Sequence, residues 1–176
     1  MNGCQNGQIG YNAAMTEQTQ QLVAELAEQL ATRGEKLATA ESCTGGLIAK
    51  TLTDLAGSSV WFDRGFVTYS NEAKTEMISV PASVIEQYGA VSEPVANAMV
   101  TGALKHSAAD FAIAVTGVAG PGGGSAEKPV GTVWIGIGSK HQLIARKYVF
   151  PGDRNAVRQA TLETALVSLK TMLETA

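Results

Sequence analysis

Leu37-Ala38-Thr39-Ala40-Glu41-Ser42-Cys43-Thr44-Gly45-Gly46 is a short apolar strand that runs into a helix start. The apolar part, 37–40, is too short for a buried helix and is followed at once by hydroxyls and glycines. From residue 45 the spacing changes: Leu47, Ile48, Leu52 and Leu55 recur at helical intervals up to residue 55. Such a junction leaves unpaired backbone N–H groups at the positive end of a helix dipole. It can hold an anion, or an oxyanion beside a nucleophile.

The same alternation continues along the chain. Upstream, Thr16 can cap a helix to residue 33 with Leu22, Val23, Leu26, Ala27 and Leu30 on one face, and Gly34 as its stop. Downstream, 65–69 reads as a strand and Ser70 can cap a helix to residue 78. A short helix is expected over 81–88. Ser92-Glu93-Pro94 is a helix start followed by Val95, Met99 and Ala103. The uninterrupted apolar run 111–115 suits a strand covered on both faces. Residues 130–138 and 142–150 read as a hairpin, and Asp153 caps a last helix striped by Leu162, Leu166, Leu169 and Leu173. Helices alternating with strands, plus one hairpin, give an α/β layered fold with a mixed sheet. Residues 1–14 are polar, without periodicity, and read as a disordered tail or an expression remnant. Residues 15–176 read as one domain.

The composition narrows the function. The chain has 176 residues, 45% of them hydrophobic, and a net charge of −3. A broad basic surface for nucleic acid is therefore not expected. No stretch approaches the roughly 18 apolar residues of a membrane span. Cys4 and Cys43 do not form a disulfide framework, which points to a reducing cytoplasm. His106 and His141 lack the spacing of metal ligands, so neither metal nor cofactor is expected.

Ser42 is either a helix N-cap or a nucleophile. Two glycines beside it would let a substrate approach the backbone closely. His106 ends a helix and His141 lies in a hairpin turn, so a Ser-His-Asp arrangement is not expected. Tyr69 and Lys74 remain as groups that could take the serine proton, provided burial lowers the lysine pKa. Cys43 is the rival nucleophile, because a helix N-terminus lowers a thiol pKa. The stretch from Thr116 and Gly117 through Gly120 to Ser125 follows the buried strand and could form an anion-binding nest. Arg154 opposes a helix dipole unless an anion lies near, which suits a phosphate. Arg158 could share that role.

Several strings together resemble the CinA C-terminal domain family in its stand-alone form. They are 40–46, 57–59, 64–71, 89–92, 116–121, 128–133 and 151–154, in that order. The resemblance covers about residues 16 to 175. It implies a three-layer α/β/α sandwich with a mixed, mainly parallel five-stranded sheet, assembled as a homodimer. It also implies hydrolysis of the carboxamide of nicotinamide mononucleotide to nicotinate mononucleotide and ammonia. Ser42 matches the nucleophile, and Tyr69, Lys74 and Arg154 match the family's tyrosine, lysine and phosphate-side arginine. Thr44, Gly45 and Gly46 would then hold the oxyanion, while Thr116, Gly117, Gly120 and Arg154 anchor the ribose phosphate. The alternative is a non-catalytic nucleotide-binding module linked to competence or DNA damage.

Overall fold

The computed structural model describes residues 16–175; the proposed tail at 1–14, and Cys4 with it, lie outside the described residues. The chain order is α1 (Glu17–Arg33), β1 (Leu37–Glu41), α2 (Leu47–Thr53), β2 (Phe62–Val67), α3 (Asn71–Ile78), α4 (Ala82–Tyr88), α5 (Glu93–Lys105), β3 (Phe111–Gly117), β4 (Thr132–Ser139), β5 (Leu143–Val149) and α6 (Arg154–Thr175). A 3-10 turn at Ser58–Val60 joins α2 to β2. The strands form one sheet in the order β2-β1-β3-β4-β5. β1 is parallel to both β2 and β3, whereas β4 runs antiparallel to β3 and β5. Four strands thus share one direction and β4 opposes them.

The period-two pattern of β3 explains the layers. Phe111, Ile113 and Val115 point to one face, where they join Val23, Leu26 and Leu30 of α1, Ile48 and Leu52 of α2, and the leucine stripe of α6. Ala112 and Ala114 point to the other face, toward Ile78, Ile85, Val95, Met99 and Val100 of α3, α4 and α5. The second face is small by design of the sequence. A Cβ at Gly136 would lie 2.8 Å from Val100 Cγ2 and 3.2 Å from the Ala96 carbonyl oxygen. The glycines and alanines therefore let α5 lie close on the sheet. Large residues fill the α1/α6 face.

Most expected boundaries agree to within two residues. Thr16 caps α1 with its hydroxyl, Gly34 closes it in a left-handed conformation, and Ser70 and Asp153 cap α3 and α6. Two expectations need correction. The strand expected over 65–69 is β2, Phe62–Val67, so Tyr69 lies beyond its end. Gly65 reads as a strand start, yet it sits inside β2. A Cβ there would come within 2.9 Å of Ala49 and 3.0 Å of Thr39, so the glycine is required for α2 to pack on β2. The helix expected over 45–55 is α2, Leu47–Thr53. Gly45 and Gly46 have φ of 59° and 93°, which a right-handed helix cannot accommodate.

The topology places a crevice. From β1 the chain crosses through α2 to β2 on one side, and from β2 it returns through α3, α4 and α5 to β3 on the other side of β1. The carboxyl end of β1 is thus a switch point, where ligands bind in open α/β sheets. Ser42 follows that end directly. No helix among the described residues is long and apolar enough to cross a membrane.

Candidate functional site

The centre of the site is a pair from two elements. Ser42 leaves β1 and Lys74 lies in the second turn of α3, with Nζ 3.1 Å from Ser42 Oγ. Lys74 is 1% exposed and is the largest fully buried side chain. Burial pushes its amine below the ordinary lysine value, with Cys43 and Glu72 pulling weakly the other way. The Thr68 carbonyl accepts from Nζ at 3.0 Å, with those of Ser70 and Tyr69 at 3.4 and 3.5 Å. A neutral amine has two N–H donors and one lone pair. With those two donors on carbonyls, a deprotonated Lys74 would have its lone pair free for the serine hydroxyl 3.1 Å away. That is the geometry of a general base for a serine nucleophile.

Sequence spacing left open whether Tyr69 relays the proton. The phenol lies elsewhere: its oxygen accepts a hydrogen bond from Arg154 Nη2 at 2.9 Å. Tyr69 is 58% exposed, and its ring stands 4.0 Å from where a Cβ of Gly45 would be. Arg154 Nη1 also donates to the Gly120 carbonyl at 3.0 Å. Ser42 with Lys74 forms the buried half of the site; Tyr69 with Arg154 forms the exposed half.

The positions expected to form the anion nest are closely packed. The Thr116 hydroxyl is spent on the Ala90 carbonyl at 2.8 Å. A Cβ at Gly117 would lie 2.7 Å from the Thr132 carbonyl oxygen, and one at Gly120 would lie 2.6 Å from Val130 Cγ1. Glycine at these positions lets the end of β3 pack on β4 and lets the loop pack on Val130 just before it. What the loop offers to Arg154 is a carbonyl, which orients the guanidinium.

The helix start also differs from the expected anion site. The amide of Gly46, and those of Ile48 and Ala49, donate to the carboxylate of Glu41 at 3.0, 3.0 and 2.8 Å. The Thr44 hydroxyl donates to the same carboxylate at 2.7 Å, and the Gly45 amide donates to the Ser42 carbonyl at 3.1 Å. Thr44 Oγ1 and the amides of Gly45 and Gly46 are therefore engaged within the protein. The amides of Cys43 and Thr44 donate to no other described residue. They flank the Ser42 side chain and are the donors an oxyanion could use. Arg158, one turn beyond Arg154 on α6, donates from Nη2 to the Thr44 carbonyl at 2.6 Å, so it braces the turn.

Sequence reasoning gave the carboxylate of Glu41 no task. The available signal was an acidic residue at the end of an apolar strand, just before a helix whose first turn carries no acid of its own. Cys43 is a correction. Its side chain belongs to the core on the α1/α6 face, and burial, with help from Glu41, pushes its pKa up to about 11. The helix end expected to lower it is occupied by Glu41. His106 bonds to Ser79 Oγ at 2.8 Å and takes no part. Among the described residues no cluster of His, Cys, Asp and Glu could hold a metal.

The chain is similar to known proteins over most of its length. The CinA C-terminal domain model matches residues 19–173. The nicotinamide-nucleotide amidohydrolase PncC of Enterobacter agglomerans is 55% identical over 154 residues, 87% of this chain and 92% of that one. The protein of the same name from Escherichia coli K12 is 53% identical over 150 residues, 85% of this chain and 91% of that one. Among solved structures, the competence/damage inducible protein CihA from Agrobacterium tumefaciens superposes with a TM-score of 0.88 at 43% identity. It covers 92% of this chain and 99% of its own.

The state of Cys43 is directly testable. With a pKa of about 11, only about one thiol in a thousand is ionised near pH 8. In a Cys4→Ser protein, iodoacetamide should leave Cys43 unmodified in native buffer during a period that fully alkylates the denatured chain, as read by mass spectrometry. Fast native labelling would restore Cys43 as a nucleophile.

Proposed function

The chain belongs to the CinA C-terminal domain family, and from that premise we propose that it hydrolyses the carboxamide of nicotinamide mononucleotide through a Ser42 acyl-enzyme. The observation that carries the serine assignment is the buried contact between Lys74 Nζ and Ser42 Oγ. The relatives named above are nicotinamide-nucleotide amidohydrolases, which supplies the substrate.

The chemistry proceeds in two halves. Lys74 takes the hydroxyl proton as Ser42 Oγ attacks the carboxamide carbon. The oxyanion forms beside the amides of Cys43 and Thr44, each good donor being worth about 3–4 kcal/mol. Lys74 then returns the proton to the nitrogen, the C–N bond breaks and ammonia leaves. A water gives its proton to Lys74 and attacks the ester carbon. The bond to Oγ breaks, Ser42 regains its proton, and nicotinate mononucleotide departs. Arg154 binds the phosphate. Its guanidinium is exposed, and the Gly120 carbonyl and Tyr69 hydroxyl fix its plane. Tyr69 walls the entrance over Gly45. Binding at the remote phosphate then holds the amide against Ser42.

We further propose that the working form is a homodimer joined through β5 and α6. β5 is an edge strand with Leu143, Ile144 and Val149 exposed, and Val167 of α6 is 54% exposed. A groove of about 440 Å³ between these elements is lined by Leu22, Ile135, Ile144, Tyr148 and Val167. The edge also carries the exposed Arg146 and Lys147. Its unpaired backbone groups invite pairing, and a two-fold axis would let a second copy cover it with the same surface.

Ser42→Ala and Lys74→Met should each remove ammonia release while leaving the fold intact, and a non-catalytic nucleotide-binding module would release none even as wild type. The wild-type rate should rise with pH as Lys74 loses its proton. Its midpoint should lie below the ordinary lysine value of about 10.4, because burial lowers that pKa. A midpoint at the ordinary value would exclude Lys74 as the base. Arg154→Ala should raise KM for the nucleotide about tenfold or more with kcat less affected, consistent with a lost charged contact; an unchanged KM would remove Arg154 from the phosphate site. Val149→Lys with Val167→Lys should convert a dimer into monomers in light scattering. A wild-type monomer would sink the dimer.

A further inference from the structure

We propose that Glu41 is the positioning residue of this site. It holds the turn that presents Ser42, and it keeps the amides of Cys43 and Thr44 apart from those of α2. The inference rests on the amidase reading above and adds to it a residue with no contact to the substrate.

Glu41 is 1% exposed. A buried carboxylate is costly unless its oxygens are filled by donors. Here Oε2 accepts from Thr44 Oγ1, the Gly46 amide and the Ile48 amide at 2.7, 3.0 and 3.0 Å. Oε1 accepts from the Ala49 amide at 2.8 Å and from Thr39 Oγ1 at 3.4 Å. Among the described residues Glu41 joins no salt bridge. Its charge is met by a helix N-terminus and two hydroxyls.

A helix start following a strand ordinarily offers its first amides to an external anion. In this molecule the anion is built in. Gly46, Ile48 and Ala49 are taken by Glu41, and the Leu47 amide is taken by the Thr44 carbonyl at 3.3 Å. The connecting residues must therefore fold over the carboxylate. This is why Gly45 and Gly46 have positive φ and why the Thr44 hydroxyl turns inward. Among the described residues, the amides of Cys43 and Thr44, next to Ser42, donate to no other residue.

The backbone of Glu41 reaches the other half of the site. Its carbonyl accepts from the Thr68 amide at 2.8 Å. The Thr68 carbonyl in turn accepts from Lys74 Nζ. One residue thus fixes the nucleophile turn with its side chain and the platform of the base with its main chain. Replacing the carboxylate leaves the second link in place, so only the first should fail.

The test uses the purified full-length protein as Glu41→Gln and Thr44→Val, assayed for ammonia from nicotinamide mononucleotide. A Gln side chain keeps the size but puts an NH₂ against donors. Folded Glu41→Gln should lose about 100-fold in kcat, the size of a lost oxyanion donor, with KM within about threefold of wild type. The pH midpoint should not move, because Lys74 is untouched. Thr44→Val, which removes a single contact to Glu41, should show a smaller loss of kcat with the same KM. A folded Glu41→Gln enzyme with wild-type kcat overturns the proposal, as does a KM that rises in step or a midpoint that shifts. If Glu41→Gln does not fold, Thr44→Val decides, and an unchanged kcat there overturns it. If the wild type releases no ammonia, the amidase reading has failed instead. The rate at which a fluorophosphonate labels Ser42 then decides: labelling about tenfold slower in the variant supports positioning, and equal rates overturn it.

Discussion

A buried amine beside a hydroxyl is the constraint on which the site depends. Lys74 lies in the interior against Ser42 and the carbonyl of Thr68. An ammonium there, away from water and without a carboxylate partner, costs several kcal/mol. Burial therefore favours the neutral amine and pushes the Lys74 pKa below the ordinary lysine value. Three elements build the contact of Lys74 with Ser42 and Thr68. β1 delivers Ser42, the loop after β2 delivers the carbonyls, and α3 delivers the amine. Packing of α3 against α5 is tight: a Cβ at Gly102 would stand 2.0 Å from the Ile78 carbonyl oxygen. The end of α3 therefore has little freedom, and the lysine one turn earlier inherits its placement.

The two buried titratable side chains are kept apart in this structure by the sheet's own connections. Glu41 is buried and satisfied by the start of α2. Lys74 is buried and satisfied by carbonyls. Arg154 and Tyr69 stand at the surface. A phosphate-bearing substrate would meet the exposed arginine first and present its amide to the buried pair second. This division matches remote binding energy to local chemistry.

Much of the fold was legible in the sequence, because periodicity and caps are local properties. The alternation in β3, the leucine stripe of α6, and the caps at Thr16, Ser70 and Asp153 each depend on residues within a turn or two. The misreadings all involved glycine or burial. Gly65 reads as a boundary, but its absent Cβ is needed by Ala49, a residue sixteen positions earlier. Gly45 and Gly46 read as the first turn of a helix, but a buried carboxylate forces them into left-handed geometry. Cys43 reads as an activated thiol because helix starts lower thiol pKa values. The core around it, and the carboxylate that fills the helix end, reverse the sign.

By itself the sequence determined the layered α/β class, the order of its elements, and the set of polar residues placed at strand ends: Ser42, Tyr69, Lys74 and Arg154. It could not decide which of them touch. Tertiary structure paired Ser42 with Lys74 and Tyr69 with Arg154, and it assigned the amides of α2 to Glu41 rather than to a ligand. The physical reason is range. Propensity and hydrophobic period act over a few residues, whereas the contacts here join positions 32, 85 and 114 residues apart. Those distances close only when β1, β2 and β3 lie side by side with α6 folded back over their ends.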